Sequence, residues 1–295
     1  MNPVEELLKS LYVMALLVEA RDPYTGGHLW RVSQYCKILA AECGLPEKDV
    51  ARIALGGFLH DLGKISIPDA ILNKPERLTE AEYAVIKTHP EVGKRLLSEH
   101  PLAELASAAV HAHHETPDGR GYPLGLRGDD IPIDARIVGL CDAFDAMTSN
   151  RPYRRGMPVE NALSILEQNL GKQFDADFGR KFIAIGRRGH LSPIAGYSEP
   201  GIPVQECPMC GPTIVVRRKN RSGDRVYCRR CGAEAAVTFE NGKFDISMTG
   251  KQGDAAALQP EADIDLIESL VRETAALVVR KKSGISRIFP FRRSA

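Results

Sequence analysis

The chain has 295 residues and an almost balanced charge, with 39 Lys and Arg against 38 Asp and Glu. This length allows one sizeable domain and a smaller one, each with its own core. The near neutrality excludes recognition through a strong overall field, and no apolar run approaches the ~20 residues that a membrane span requires. The basic surplus is local, because residues 207–295 hold 16 Lys and Arg against 10 Asp and Glu.

Cysteine usage and the N-terminal segment bear on the compartment. Seven cysteines, four of them in two Cys-x-x-Cys pairs, suit a reducing compartment and a bound metal better than disulfides. Leu11 to Val18 is apolar but short, and Glu-Ala-Arg-Asp follows it where a secreted protein would have a small-residue cleavage site. We therefore expect an amphipathic N-terminal helix, no signal peptide and a cytoplasmic protein.

Apolar residues at helical spacing predict an all-helical region before residue 190, where no segment alternates like a strand. The expected helices, in chain order, cover residues 3–21, 28–44, 46–61, 79–89, 102–113, 135–149, 158–170 and 175–187. Thr79 and Glu82 form a capping-box pattern that opens the fourth helix, which ends at His89 ahead of Pro90. Glycine and proline crowd residues 117–132, which predicts a long, shaped loop there.

Histidines and aspartates lie near the ends of these expected helices, where side chains from different helices can converge. Neutral imidazole and carboxylate are ligands for divalent cations. Taken alone, an adjacent pair such as His60-Asp61 is more often a surface pair or a hydrogen-bonded core histidine than a metal site. The doublet His113-His114 cannot occupy one face of a regular helix, so we expect the two rings to serve neighbouring ions. The candidate metal ligands are His28, His60, Asp61, His89, His113, His114 and Asp142.

Over residues 5–187 the chain resembles the HD-GYP proteins, a branch of the HD-domain metal-dependent phosphohydrolases. The motifs that carry the resemblance are Asp22-x-x-Thr25-x-x-His28-x-x-Arg31, His60-Asp61-Leu62-Gly63-Lys64-Ile65-x-Ile67-Pro68, His89, His113-His114-Glu115-x-x-Asp118-Gly119-x-Gly121-Tyr122-Pro123 and Asp142-Ala143-Phe144-Asp145-Ala146-Met147-x-Ser149-x-Arg151-Pro152-Tyr153-Arg154. We call residues 118–123 the GYP loop. Any one motif is weak by itself, whereas the ordered set is specific.

The resemblance implies a bacterial signalling enzyme that hydrolyses cyclic di-GMP to the linear dinucleotide, and onward to GMP, with a metal-bridging hydroxide. It implies the seven ligands named above, with Asp61 as the bridging and catalytic carboxylate. Lys64 would act in catalysis, and the residues that hold the substrate would be Lys64, Tyr122, Arg151 and Arg154. Members with three metals carry a glutamate where this chain has Tyr24, which favours two divalent ions here. Iron and manganese both suit such ligands.

A second metal signature follows a proline-containing segment. Cys207-x-x-Cys210 and Cys228-x-x-Cys231, separated by 17 residues, predict a structural zinc ion in a small β zinc ribbon. We expect one hairpin between residues 213–216 and 225–227, and a second that turns at Asn241-Gly242. Residues 217–230 of the ribbon contain seven Lys and Arg residues, which would suit nucleic-acid phosphates, although we favour docking of a protein partner.

The expected fold class is mainly α, with an HD-type helical domain, a small β zinc ribbon and a C-terminal helix. The expected organisation is a helical phosphodiesterase domain (1–190), a linker (191–206), the ribbon (207–249), a flexible linker (250–262) and an amphipathic helix with a basic tail (263–295). We expect that helix to dock on the protein or on a second subunit. The alternative is that the basic tail binds a membrane surface. A protein partner at the GYP loop and a homodimer also stay open.

The alternatives for function are hydrolysis of cyclic GMP-AMP or another nucleotide, and a non-catalytic signalling scaffold that acts through the zinc ribbon. A scaffold has no need of seven metal ligands and Lys64, which favours the enzyme.

Overall fold

A computed structural model describes residues 2–22, 26–150, 154–259 and 262–279. In these ranges the predicted fold class is confirmed: a helical region is followed by a small antiparallel-sheet region and a C-terminal helix. The helices before residue 190 are α1 (Pro3–Glu19), α2 (His28–Glu42), α3 (Glu47–Leu59), α4 (Asp69–Leu72), α5 (Glu80–Ile86), α6 (His89–Leu97), α7 (Ser107–Ala112), α8 (Ile133–Thr148), α9 (Val159–Gln168) and α10 (Ala176–Arg187). Three 3-10 helices connect them, at Leu62–Ser66, Ala103–Leu105 and Gly128–Asp130.

The helical core forms where α2, α3 and α8 pack together. Its largest side chains come from different helices, with Tyr12 edge-on to Phe58 and Tyr35 edge-on to Phe144. All four of these rings are buried. Because these helices are locked by one core, the residues at their ends have defined positions relative to one another.

The fourth expected helix begins at its predicted capping signal, but its predicted end is wrong. Thr79 accepts from the backbone of Glu82 and completes the predicted capping box of α5. The prediction that this helix runs to His89 is wrong, because α5 ends at Ile86 and His89 begins α6. Pro90 stands in the first turn of α6, where its missing N–H costs no hydrogen bond. His89 therefore lies at a helix start, and residues 65–75 contain part of a 3-10 helix and α4.

The sheet region contains seven short strands. They are β1 (Tyr197–Glu199), β2 (Ile202–Pro203), β3 (Gln205–Glu206), β4 (Thr213–Ile214), β5 (Arg225–Tyr227), β6 (Ala233–Glu240) and β7 (Lys243–Gln252). From here on, the ribbon means residues 205–252, which include the expected range 207–249, and the hairpin means β1–β2. The ribbon has its own small core, which includes Val216, Val226 and Val237.

Strand pairing in the ribbon corrects one prediction and confirms another. The expected pairing of residues 213–216 with 225–227 is wrong, because β4 pairs with β3 and β5 pairs with β6. The chain reverses at each Cys-x-x-Cys turn instead, since the two cysteines of a pair must face the same point. The β6–β7 hairpin turns as predicted at Asn241-Gly242, where both residues have positive φ, 51° and 76°.

The C-terminal helix α11 (Ile264–Val279) docks on the helical region, as predicted, and packs on α1 and α3. Its buried face presents Ile267 and Val271 to the same core as α1. The hydroxyls of Tyr12 and Thr274 share a hydrogen bond of 2.7 Å. No helix in the described ranges is long and apolar enough to cross a membrane. The expected basic tail, residues 280–295, lies outside the described residues.

Candidate metal centre

All seven predicted ligands come together on one side of the helical core. Helix α2 begins with His28, His60 follows α3, His89 begins α6, and His113 and His114 follow α7. Their ligand atoms form three overlapping groups, each within 4.8 Å. We call the group of His28, His60 and Asp142 the His28 half-site, and the group of His89, His113 and His114 the His89 half-site. The third group, of His60, Asp61 and His113, joins these two half-sites.

Asp61 lies between the two half-sites. Its Oδ2 is 3.6 Å from Nε2 of His28 and 3.4 Å from Nε2 of His60. Its other oxygen, Oδ1, is 3.5 Å from Nε2 of His89. One carboxylate oxygen thus faces each half-site, which is the arrangement that a bridging ligand for two ions requires.

The second ring nitrogen of each of three histidines is held by backbone. Nδ1 of His60 donates to the carbonyl of Gly57 at 2.7 Å, and Nδ1 of His89 donates to that of Ile86 at 2.8 Å. Nδ1 of His113 lies 3.1 Å from the carbonyls of residues 109 and 110. These bonds set the tautomer that leaves Nε2 available to an ion, as is usual for histidine ligands.

His28 is oriented by a buried ion pair that the sequence reasoning missed. Its Nδ1 donates to Oδ2 of Asp145 at 2.8 Å. Arg31 donates to both oxygens of Asp145, at 2.6 and 3.0 Å, and all three side chains are buried. The sequence did contain an indication of this role for Asp145. Asp145 follows Asp142 by three residues on a helix, so both side chains point to one face.

The ionisation of the site fits a bound cation. Burial opposes the charged form of His28 and of His60, yet the hydrogen bond of His28 with Asp145 and the negative charges of the neighbouring aspartates raise the pKa of both imidazoles. Lys64 and His60 hold the pKa of Asp61 well below its usual range, against its burial. Carboxylates in the His28 half-site therefore attract positive charge, which a divalent ion would supply in place of protons.

In the His89 half-site the imidazoles stay neutral. Burial lowers the pKa of His89 to about 4 and that of His114 to about 3. Neutral imidazole is the form that binds metal. The buried Nε2 of His60 also has no hydrogen-bond partner in the described part of the chain, which is costly unless an ion occupies that position. The residues present therefore fit two divalent ions.

A cleft of about 720 Å³ opens over the His89 half-site. Its lining includes Asp142, Lys64 and Tyr122, so three residues that were predicted for metal or substrate face one space. The ring of Tyr122 stacks on that of His114, with centroids 4.7 Å apart. Nζ of Lys64 lies 2.6 Å from Oδ2 of Asp61, so this cation is paired with the carboxylate that lies between the two half-sites.

Two arginines were also predicted to bind the substrate, and one of them, Arg154, lies beside the cleft. Arg154 donates from Nη2 to the carbonyl of Ala146, which lines the cleft. Arg151 lies outside the described residues, as does Tyr24. A cleft cation that the sequence reasoning missed is Lys87, whose Nζ lies 5.3 Å from the ring centroid of Tyr83 and 5.7 Å from that of Tyr122.

The GYP loop is held tightly against the histidine doublet. Glu115 accepts from the backbone N–H of Leu124 at 2.6 Å and of Leu126 at 2.9 Å. A Cβ on Gly121 would lie 2.4 Å from Cα of Glu115, so glycine is required for this close approach. The loop thereby brings Tyr122 over His114.

The four ribbon cysteines form a second, separate cluster. Their Sγ–Sγ distances include 3.6 Å for Cys207 and Cys231, 3.8 Å for Cys207 and Cys210, and 3.5 Å for Cys210 and Cys228. A tetrahedron with 2.3 Å Zn–S bonds has sulfur–sulfur edges of about 3.8 Å. The cluster therefore fits a closed, structural zinc site, with no position left for a substrate.

Comparison with known proteins identifies the helical region. The model of the HD domain family matches residues 12–178, more than half of the chain. The chain belongs to the HD domain family. This confirms the family that the ordered motifs had indicated, and the matched range of the HD domain contains all seven candidate ligands.

Several curated relatives match the same part of the chain. The cyclic di-GMP phosphodiesterase response regulator RpfG of Xanthomonas campestris pv. campestris is 42% identical over 178 residues, which cover 59% of this chain and 47% of the relative. The 3'3'-cGAMP-specific phosphodiesterase 3 of Vibrio cholerae is 40% identical over 178 residues, covering 60% and 38%. A cyclic di-GMP phosphodiesterase of Thermotoga maritima is 39% identical over 181 residues, covering 61% and 49%. The matched region thus spans less than half of each relative.

Proposed function

We propose that this protein is a metal-dependent phosphodiesterase that hydrolyses cyclic di-GMP to the linear dinucleotide, and onward to GMP. The observation that carries the proposal is Asp61, whose two oxygens face the His28 half-site and the His89 half-site beside a large cleft. Two curated relatives near 40% identity are named for this activity, which supports the choice of substrate.

The His28 half-site and the His89 half-site would each hold one divalent ion, with Asp61 shared between them. Two such ions, when bound, acidify water and take up charge on the phosphoryl oxygens of a phosphodiester. We propose iron or manganese, because a mixture of imidazole and carboxylate suits either ion. The chain's own contribution is to hold each imidazole in one tautomer, through the carbonyls of Gly57 and Ile86 and the carboxylate of Asp145.

Cationic side chains in and beside the cleft would bind the two phosphates of the substrate. Lys64, aligned by Asp61, would stabilise the charge that develops on the scissile phosphate. Arg151 and Arg154 would clamp phosphate with their guanidinium groups, and Lys87 would add a further cation at the tyrosine pair. Tyr122, stacked on His114, offers an aromatic face to a guanine base and a hydroxyl to phosphate.

Cyclic GMP-AMP is the second candidate substrate. A relative that is 40% identical is named for specificity toward 3'3'-cGAMP, a value close to that of the relatives named for cyclic di-GMP. Both compounds carry two phosphodiesters and at least one guanine, so the same metal ions and cations would serve either.

We also propose that the helical region and the ribbon are separate domains. Two separate hydrophobic cores support a helical unit and a ribbon unit. The ribbon would hold one structural zinc ion, and its basic surface would dock a protein partner. The described part of the C-terminal helix shares the core of the helical unit.

The decisive experiment measures cyclic di-GMP hydrolysis by the full chain, purified without oxygen and reconstituted with Fe(II) or Mn(II). Asp61→Ala should abolish turnover because it removes the ligand common to both half-sites. Asp177→Ala, a substitution at an exposed position on α10, should leave turnover unchanged. If folded, metal-loaded wild-type protein leaves cyclic di-GMP intact, this substrate is wrong. Parallel reactions with 3'3'-cGAMP then test the second candidate, and inactivity on both would favour a scaffold.

A further inference from the structure

The two zinc-binding turns of the ribbon contact the two chain segments that flank the His28 half-site. Next to Cys228, Arg229 donates from Nη1 to the carbonyl of Ala20 at 3.1 Å, just before the segment that leads to His28. Next to Cys207, Glu206 accepts a hydrogen bond from Asn150, which follows the helix that carries Asp142 and Asp145. Residues next to the two cysteine turns thus contact one segment that precedes His28 and another that follows Asp142 and Asp145.

The hairpin that precedes the ribbon reaches the metal ligand through a continuous set of hydrogen bonds. The carbonyl of Tyr197 accepts from Nη1 of Arg31 at 2.9 Å. Arg31 also binds both oxygens of Asp145, and Asp145 accepts from Nδ1 of His28. Because Arg31, Asp145 and His28 are buried, a shift of the hairpin backbone would change the partners available to the imidazole of His28.

Close packing at the start of α2 also links the hairpin and the ribbon to His28. A Cβ on Gly27 would lie 2.4 Å from Cα of Ser198, so the hairpin backbone rests directly on the residue before His28. A Cβ on Gly26 would lie 2.9 Å from Cγ2 of Thr213, in strand β4 of the ribbon. Both glycines therefore mark places where the hairpin and the ribbon press on the segment that positions His28.

We propose that the zinc-loaded ribbon positions His28, so that metal affinity in the His28 half-site depends on the ribbon while affinity in the His89 half-site does not. The second half-site is built differently. Its ligands lie on α6 and after α7, and these helices pack on each other, on α3, on α8 and on the 3-10 helix at residues 62–66. Arg31 and Arg229 are positioning residues in this scheme, since they act on the ion through other groups.

The test compares two charge-removing substitutions on the ribbon of the full chain. Arg229→Gln breaks the contact with Ala20, whereas Arg221→Gln removes an equal charge from the exposed turn at residues 220–224. The measurements are anaerobic Mn(II) titration without substrate, and hydrogen exchange of the amides of residues 26–31. For Arg229→Gln we expect about tenfold weaker binding of one of the two ions, an unchanged second ion, and faster exchange. Arg221→Gln should match wild type in both measurements.

A second variant removes the zinc ion itself. Cys231→Ser should weaken the same single Mn(II) ion by at least as much as Arg229→Gln, with helix content retained. The inference is overturned if both Arg229→Gln and Cys231→Ser bind two ions with wild-type affinity, or if both ions weaken equally.

The inference rests on the proposed dimetal site, and the two can fail separately. Wild-type protein that binds no Mn(II) in the helical region would contradict the proposed function and this inference together. Two ions bound equally well by wild type and by both variants would contradict the inference alone.

Discussion

The two candidate metal centres of this chain are built in opposite ways. The ribbon cluster takes four residues of one type from two tight turns within residues 207–231. The HD centre takes histidines and aspartates from residues 28–142, and the ends of several helices must meet before it exists. The ribbon cluster therefore depends on local turns, whereas the HD centre depends on the packing of the whole helical core.

The surroundings of the two centres differ as well. In the ribbon cluster, four sulfur atoms surround the position that an ion would take, which leaves no coordination position for a substrate. In the HD centre, carbonyls and the Asp145 carboxylate hold the far side of the imidazoles, while a cleft of about 720 Å³ opens on the near side. A metal site with all positions filled by protein ligands stabilises the fold, whereas a site with open positions can bind a substrate.

The strongest test of this contrast is removal of the ribbon zinc. Cys231→Ser should eliminate the ion and unfold the ribbon strands, because a structural zinc ion contributes about 10–16 kcal/mol in zinc-finger peptides. The helical core should survive, since it has its own apolar cluster. Zinc content per chain and hydrogen exchange in β6 and β7 measure the result. Cys43→Ser, at a half-buried cysteine after α2, is the control, and a folded ribbon without zinc would contradict the prediction.

The next test breaks the orientation of a single imidazole. Asp145→Asn should lower metal affinity about 10–100-fold, because His28 loses its carboxylate partner. It should also lower the free energy of unfolding by about 3–5 kcal/mol, since Arg31 is left buried without its counter-charge. Metal titration and chemical denaturation give the two values. Asp177→Asn, on the exposed surface of α10, should change neither, and wild-type affinity in Asp145→Asn would exclude the orienting role.

Substrate binding in the open cleft can be separated from chemistry at Lys87. Lys87→Met should raise KM for the cyclic dinucleotide about tenfold and leave kcat unchanged, because the lost phosphate contact is equally present in the ground state and the transition state. Lys94→Met removes an exposed lysine of α6 and should have no effect. Steady-state kinetics distinguish the outcomes, and a fall in kcat at constant KM would assign Lys87 to the chemical step instead.

The smallest expected effect concerns the docking of α11. Tyr12→Phe should cost about 1 kcal/mol, because it removes the hydrogen bond with Thr274 and leaves that buried hydroxyl unpaired. Burial raises the pKa of Tyr12 from 10.0 to about 12, so wild-type stability should begin to fall above pH 10 and continue to fall as the pH rises through about 12. Tyr12→Phe should lose this component of the pH dependence. Denaturation curves at pH 8 and pH 11 provide the comparison, with Tyr83→Phe as the exposed control.

Prediction from the sequence succeeded where the information was chemical or local. The candidate ligands could be named one by one, because few residue types bind divalent ions and their motifs occur in a specific order. Helix periodicity, the capping box at Thr79 and the turn at Asn241-Gly242 are local patterns, and all three appear in the structure. The strand pairing around the cysteine turns was predicted wrongly, because it depends on how the two Cys-x-x-Cys turns come together in the folded ribbon.

The sequence by itself determined the residue types available for each metal centre, the mainly helical fold class and the family. Only the tertiary structure decided that the two oxygens of Asp61 face different half-sites, that Asp145 and Arg31 orient His28, and that Lys87 joins the cleft. It also decided that the ribbon presses on the segment before His28. The physical reason is range: periodicity and capping act within a few residues, whereas these contacts join residues that are distant in the sequence, such as Arg31 and Tyr197, and arise only when the core packs.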